Sequence, residues 1–151
     1  MGETKRKKKK EDVNTIIDTD ALLGLSNIND VHHGRATTLL RKLRDEDATI
    51  FLLHTTLGEF ALLASSRIGV KETKNALKRL TNGGFVFIDI NESLTKEAVL
   101  LYQNQTSKEE SLFDCYIMVA AKKIAADAIF SFDKGYEKNT FTLVSSLLSS
   151  N

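Results

Sequence analysis

Four acidic side chains, Asp18, Glu59, Asp114 and Asp133, interrupt or end apolar runs of the chain. Asp18 closes Asn14-Thr15-Ile16-Ile17, and Asp133 closes Ala128-Ile129-Phe130-Ser131-Phe132. Glu59 and Asp114 each sit a few residues into an apolar helical pattern. Elements that build a core rarely spend positions on carboxylates, because a buried unpaired charge is costly. Carboxylates gathered at one end of a sheet need a counter-charge. A hard divalent cation such as Mg²⁺ or Mn²⁺ is the usual one. The pattern points to metal-dependent phosphodiester chemistry. Asp20, just past Thr19, is a secondary contributor. Ser131 projects on the same side of its strand as Asp133 and is placed to orient that carboxylate or a water at the metal.

The elements that must position these groups follow from hydrophobic periodicity. Strands are expected at Asn14–Ile17, Thr49–Leu53, Phe85–Ile90 and Ala128–Phe132, with a short fifth edge strand at Phe141–Val144. Helices are expected over Ala21–Leu25, after a cap at Asn29 or Asp30, over Leu57–Arg67 and Lys71–Leu80, and from Asn91 or Ser93 to Gln103. The second of these helices should bury Val31, Leu39, Leu40 and Leu43. Ser107-Lys108-Glu109-Glu110 has the S-x-x-E capping-box spacing ahead of a last helix to about Ala125. Strands that alternate with helices imply parallel pairing through right-handed crossovers. The expected fold class is therefore α/β, a Rossmann-like three-layer α/β/α sandwich around a parallel sheet of four to five strands. Sites in such sheets form beyond the carboxyl ends of the strands, where strand order reverses. Asp18 and Asp133 converge there if the first and fourth strands are neighbours.

Each carboxylate also has a plainer reading. Asp18 suits a helix N-cap. Thr56-Leu57-Gly58-Glu59 matches a T-x-x-E capping box, a role that can overlap with metal binding. Asp114 could belong to a buried salt bridge, and Asp133-Lys134-Gly135 could open a turn. Cys115 reads as a small core residue, and His32 and His33 as exposed or capping residues. Gly83-Gly84 follows a helix and stops it; no P-loop or G-x-G-x-x-G pattern is present.

Composition bounds the rest. The chain has 151 residues, enough for one domain with a real core. It is expected as a basic, disordered arm over residues 1–12 followed by one catalytic domain over 13–151. Removing the cations of residues 5–10 and the acids Glu3, Glu11 and Asp12 leaves 15 Lys+Arg against 17 Asp+Glu, a body near −2. Such an arm attracts phosphates nonspecifically or merely solubilises the chain. No apolar run is long enough to span a bilayer, and no apolar segment follows the basic stretch as in a secretory signal. One cysteine, Cys115, excludes an internal disulfide and any Cys/His zinc framework, which suits a cytoplasmic location.

Four segments taken in order resemble the PIN-domain ribonucleases. They are Ile16-Ile17-Asp18-Thr19-Asp20-Ala21-Leu22-Leu23, Thr56-Leu57-Gly58-Glu59-Phe60, Ser111-Leu112-Phe113-Asp114-Cys115-Tyr116-Ile117-Met118-Val119-Ala120-Ala121 and Ala126-Asp127-Ala128-Ile129-Phe130-Ser131-Phe132-Asp133-Lys134-Gly135-Tyr136. The likeness covers about residues 13–144. Asp20 stands where the family often has Asn or Ser, and Ser131 where it often has Thr. The resemblance implies a Mg²⁺- or Mn²⁺-dependent endoribonuclease whose metal is held by Asp18, Glu59, Asp114 and Asp133. The compact length is similar to that of VapC-like toxins of toxin–antitoxin pairs, which implies RNA as substrate, a small antitoxin as partner and a homodimer. Lys134 and Arg35 are candidate guides for the RNA backbone. Two alternatives stand beside this one: a non-catalytic PIN-like module that binds RNA or protein, and another metal-dependent phosphodiesterase or DNA nuclease.

Overall fold

The computed structural model describes residues 11–106 and 108–149. Of the expected N-terminal arm, only Glu11 and Asp12 fall within that range. Four strands carry the sheet: β1 (Asn14–Ile17), β2 (Thr49–Leu53), β3 (Val86–Ile88) and β4 (Ala128–Phe130). Their order is β3-β2-β1-β4, and every pairing is parallel. Between β1 and β2 lie α1 (Thr19–Ser26) and α2 (His33–Asp45). Between β2 and β3 lie α3 (His54–Arg67) and α4 (Val70–Asn82), and between β3 and β4 lie α5 (Glu92–Gln103) and α6 (Leu112–Lys123). Two short helices, α7 (Gly135–Lys138) and α8 (Val144–Ser149), close the described chain.

Alternation along the strands sends successive side chains to opposite faces. Ile17, Ile50, Leu52, Ala128 and Phe130 pack with α1 to α4 and α8 in one core cluster. Ile16, Leu53 and Ile129 pack with α5 and α6 in the other. The result is the expected α/β/α sandwich. The chain moves outward from β1 through β2 to β3 with its helices on one face, then crosses to the far edge with α5 and α6 on the other. Crossovers of one hand require this change of face when the direction reverses. The reversal falls between β1 and β4, which makes them neighbours in the register Ile17↔Phe130.

Several boundaries depart from the sequence expectation. Phe141–Val144 forms no fifth strand: Leu143 makes a single bridge to Ile129, and α8 starts at Val144. Val31 lies in the turn before α2 and is 90% exposed, outside the buried face it was expected to join. Asp30 acts in that turn, accepting from the His32 amide, while α2 itself has no side-chain cap. Ser107 of the expected S-x-x-E box lies outside the described residues, and the helix begins later, at Leu112 with Ser111 as its cap. Asn91 caps α5 as expected, accepting from Leu94 N at 2.9 Å.

The turn between α3 and α4 depends on Gly69, whose φ of 85° costs a side-chain-bearing residue strain. That turn lets α4 fold back on α3 and fixes where α3 ends. Phe60 seats α3 on the sheet and is fully buried. Phe60→Ala should cost about 3–5 kcal/mol. Urea unfolding checks this: the midpoint should fall while the m-value stays the same.

Candidate active site

The carboxyl ends of β1 and β4 build the centre of the site. β1 is a buried apolar strand, and at its end the Asp18 amide still donates to the Phe130 carbonyl of β4 at 3.0 Å. Asp18 then turns the chain as the N-cap of α1, its Oδ1 accepting from Thr19 N at 2.7 Å. The register places Ser131 opposite. Its Oγ lies 3.2 Å from Asp18 Oδ2 and 3.0 Å from Asp20 Oδ2, and it accepts from Asp133 N at 3.1 Å. One hydroxyl proton serves one of the two carboxylates at a time. Asp20 is tied to the same segment, because its Oδ2 accepts from Phe132 N at 2.8 Å. Its other oxygen, Oδ1, is buried with no hydrogen-bond partner among the described residues.

Two helices from opposite faces of the sheet add the other acids. Glu59 lies in the second turn of α3, and the Thr19 hydroxyl donates to its Oε1. The expected Thr56-Leu57-Gly58-Glu59 capping box is absent. The helix starts earlier, at His54, so Thr56 is inside the first turn and α3 has no side-chain cap bond. The capping box belongs instead to Asp114. Ser111 Oγ accepts from Asp114 N at 3.2 Å, and Asp114 Oδ2 accepts from Ser111 N at 2.8 Å. The reciprocal pair fixes the carboxylate's orientation at the start of α6 and leaves Oδ1 facing the Tyr136 hydroxyl. Asp133 is exposed and does form a turn, with Oδ1 accepting from Gly135 N at 2.8 Å.

Tyr136, on α7, joins the two sides. Its hydroxyl lies 2.7 Å from Asp18 Oδ2 and 3.2 Å from Asp114 Oδ1, and its ring is 98% removed from solvent. Burial, and then the two flanking acids, push this phenol far above its ordinary value, so it stays protonated and donates.

Asp18, Asp20, Glu59, Asp114 and Asp133 line one open cleft of about 210 Å³. Thr19, Leu23, Leu63 and Arg67 complete its wall. The five acids thus share a cleft, although among the described residues no three of them stand as a ready-formed metal-binding group. The donor set suits a hard divalent ion on two observations. Every converging donor is an oxygen, and Asp20 Oδ1 is a buried acceptor with nothing to accept from. Lys134 and Arg35 are not part of the cleft wall. Lys134 precedes α7 on the surface, and the Arg35 guanidinium lies 5.5 Å from the centre of the Phe132 ring, which His32 also stacks on.

Sequence reasoning missed Thr19, Ser111, Tyr136 and Arg67. Arg67 had a signal, since Glu59, Leu63 and Arg67 recur every four residues along one helix face. Thr19 had one in its two flanking acids. Tyr136 had none, because its hydroxyl reaches the site only through the fold.

Crowding has a measurable consequence. Burial, then the charge of Asp20, pushes the Asp18 carboxyl up to about 7 from its ordinary 3.8, against hydrogen bonds from Tyr136 and Thr19 that lower it. Burial also raises Asp20 and Glu59. A folded-state value above the unfolded one means that the folded protein keeps a proton the unfolded chain has released. In metal-free protein the stability from that proton is full below about 4 and is lost as pH rises toward about 7. Asp18→Asn should flatten this part of the profile. In EDTA at neutral pH its melting temperature should equal or exceed the parent's, whereas a clear drop would show that the ionised carboxylate is net stabilised by its donors. Tyr136→Phe should cost about 1–3 kcal/mol, since it strips a buried acceptor of its donor. Combined with Asp18→Asn, the loss should be less than additive in denaturant titrations.

Comparison with known proteins agrees with this architecture. None of the curated proteins matches the chain by sequence. The solved structure of Mycobacterium tuberculosis VapC20, described as a sarcin–ricin loop cleaving toxin, superposes with a TM-score of 0.77 at 19% identity, covering 85% of this chain and 96% of that one. A toxin–antitoxin complex from Klebsiella pneumoniae has a TM-score of 0.55 at 19% identity, covering 80% and 87%. FitAcB from Neisseria gonorrhoeae has a TM-score of 0.55 at 19% identity, covering 80% and 88%. At these identities the likeness establishes the fold. The PIN domain family matches residues 15–141, from the first strand to beyond the last of the cleft-lining acids, and the chain belongs to that family.

Proposed function

We propose that this protein is a nuclease that hydrolyses RNA phosphodiester bonds in the acidic cleft and depends on Mg²⁺ or Mn²⁺. The observation that carries the reading is the meeting of five carboxylates, from four separate segments, in one open cleft at the carboxyl end of the sheet. Such a concentration of like charge is unfavourable in an empty cleft and is favourable once a cation is bound. Asp18, Glu59, Asp114 and Asp133 would hold the ion, with Asp20 Oδ1 as a further donor. When bound, the ion supplies a water of lowered pKa and stabilises charge developing on the phosphate.

The chain's own residues prepare the cleft for this. Thr19 holds Glu59, Ser111 holds Asp114, and Tyr136 with Ser131 holds Asp18. These hydroxyl and amide donors fix each carboxylate before an ion arrives, which lowers the ordering cost of binding. Asp18 Oδ2 already has two hydroxyls against it, so its Oδ1 is the oxygen with spare capacity.

VapC20 is described as cleaving the sarcin–ricin loop, which favours RNA over other phosphodiesters. A second similar structure is a toxin–antitoxin complex, and FitAB has been solved bound to a DNA fragment. We extend the reading to a toxin held in check by a small antitoxin and acting as a homodimer in the cytoplasm. Among the described residues no helix is long and apolar enough to cross a membrane.

The test incubates purified protein with single-stranded RNA or DNA, in Mg²⁺ or Mn²⁺ and then in EDTA. Cleavage of RNA should require the metal, stop in EDTA and return when metal is restored. Asp114→Asn should lower it by orders of magnitude. Undiminished cleavage in EDTA overturns the metal mechanism. Cleavage of DNA alone marks a DNA nuclease, and RNA binding without any cleavage marks a non-catalytic module.

A further inference from the structure

Resting on that reading of the cleft, we infer that Arg67 grips an RNA backbone phosphate flanking the scissile one, so that the strand lies along α3. Glu59, Leu63 and Arg67 occur every four residues on this helix, and all three line the acidic cleft. Eight residues of helix separate Arg67 from Glu59, about 12 Å along the axis. With Glu59 among the ion-holding acids, that backbone offset favours a phosphate next to the one held among the carboxylates. Leu63, half-buried between the two, offers an apolar step under the intervening sugar or base.

The charge arrangement favours this occupant. Arg67 is the one cation among the described residues lining the cleft. Although five carboxylates share that wall, Arg67 forms no ion pair with any described residue. It is also exposed at the last turn of α3, just before the Gly69 turn, so no packing holds its guanidinium. An unpaired guanidinium at the rim of an anionic cleft is matched by a phosphate, which its planar fork can bind through two hydrogen bonds. It also offsets the repulsion that the acids exert on RNA approaching from that side. The carboxylates and their ion act on the bond that breaks, whereas Arg67 sets where along the strand that bond lies.

The experiment compares the parent protein with Arg67→Ala, Arg67→Lys and Arg67→Glu, using fluorescent single-stranded RNA in Mg²⁺. Melting temperatures should be unchanged, because the side chain is exposed. Arg67→Ala should raise KM, and Kd by anisotropy, about tenfold. Its kcat should stay within about twofold, since a flanking contact contributes equally to ground and transition states. The slope of log Kd against log salt should shrink by about one, and Arg67→Lys should restore it. Arg67→Glu should bind more weakly than Arg67→Ala. Unchanged Kd and salt slope in Arg67→Ala would overturn the inference. So would a fall in kcat at constant KM, which would place Arg67 on the reacting phosphate. If the parent binds RNA but does not cleave it, the nuclease reading fails; the Kd and salt-slope differences then decide the inference alone. If the parent binds no RNA, both fail.

Discussion

The pairing of β1 with β4 is the constraint on which the rest of the site depends. Its register, Ile17 beside Phe130, sets Asp18 next to Ser131 at the point where both strands end. The backbone bond from the Asp18 amide to the Phe130 carbonyl carries the ladder one residue further and holds the Asp18 carboxylate at the carboxyl end of the sheet. Asp20 then reaches the Phe132 amide, which ties α1 to the segment after β4. These are strong local links, but they exist only because the crossover through α5 and α6 carries the chain to the far edge of the sheet.

The site is a balance between desolvation and hydrogen bonding. Burial raises the carboxyls of Asp18, Asp20 and Glu59, and neighbouring charge raises them further. Opposing this are donors from short-range structure and from far along the chain: the Thr19 and Phe132 amides, and the hydroxyls of Thr19, Ser131 and Tyr136. Nearly every donor is a neutral group. Neutral donors hold carboxylates in place without neutralising them, so the cleft keeps its negative character. A lysine or arginine buried among the same acids would satisfy the charge and remove that character. The one arginine among the described wall residues stands exposed at its rim, with no described ion-pair partner.

Secondary structure and the candidate site share side chains here. Asp18 caps α1, Asp114 completes the capping box of α6, and Asp133 closes a turn, yet all three line the cleft. A helix N-terminus carries partial positive charge and unsatisfied amides, so a carboxylate there is stabilised while one of its oxygens remains available. The plain readings of Asp18 and Asp133 and the chemical ones therefore describe the same atoms. Glu59 differs: it has no capping duty, and among the described residues its anchor is the Thr19 hydroxyl of another helix.

The strands β1 and β2, the alternation of strand and helix, and the acids at or near element ends were legible because each rests on local pattern. An apolar run ended by Asp shows itself in a few residues, and parallel pairing follows from the length of the crossovers. What the sequence could not decide were matters of partner choice. The box at Thr56-x-x-Glu59 satisfied the local rule as well as Ser111-x-x-Asp114 does, and only the true start of α3 at His54 separated them. Phe141–Val144 had the composition of a strand, but after the Leu143 bridge the chain coils into α8 over the core beside β4. Nothing local in the sequence marks Tyr136. Its hydroxyl meets Asp18 across 118 residues and Asp114 across 22, distances in sequence over which no periodicity carries information. The sequence by itself determined which side chains carry charge and which elements present them. The tertiary structure decided which oxygens meet which donors, because hydrogen bonds form over about 3 Å and only the packed sheet and helices place atoms to that accuracy.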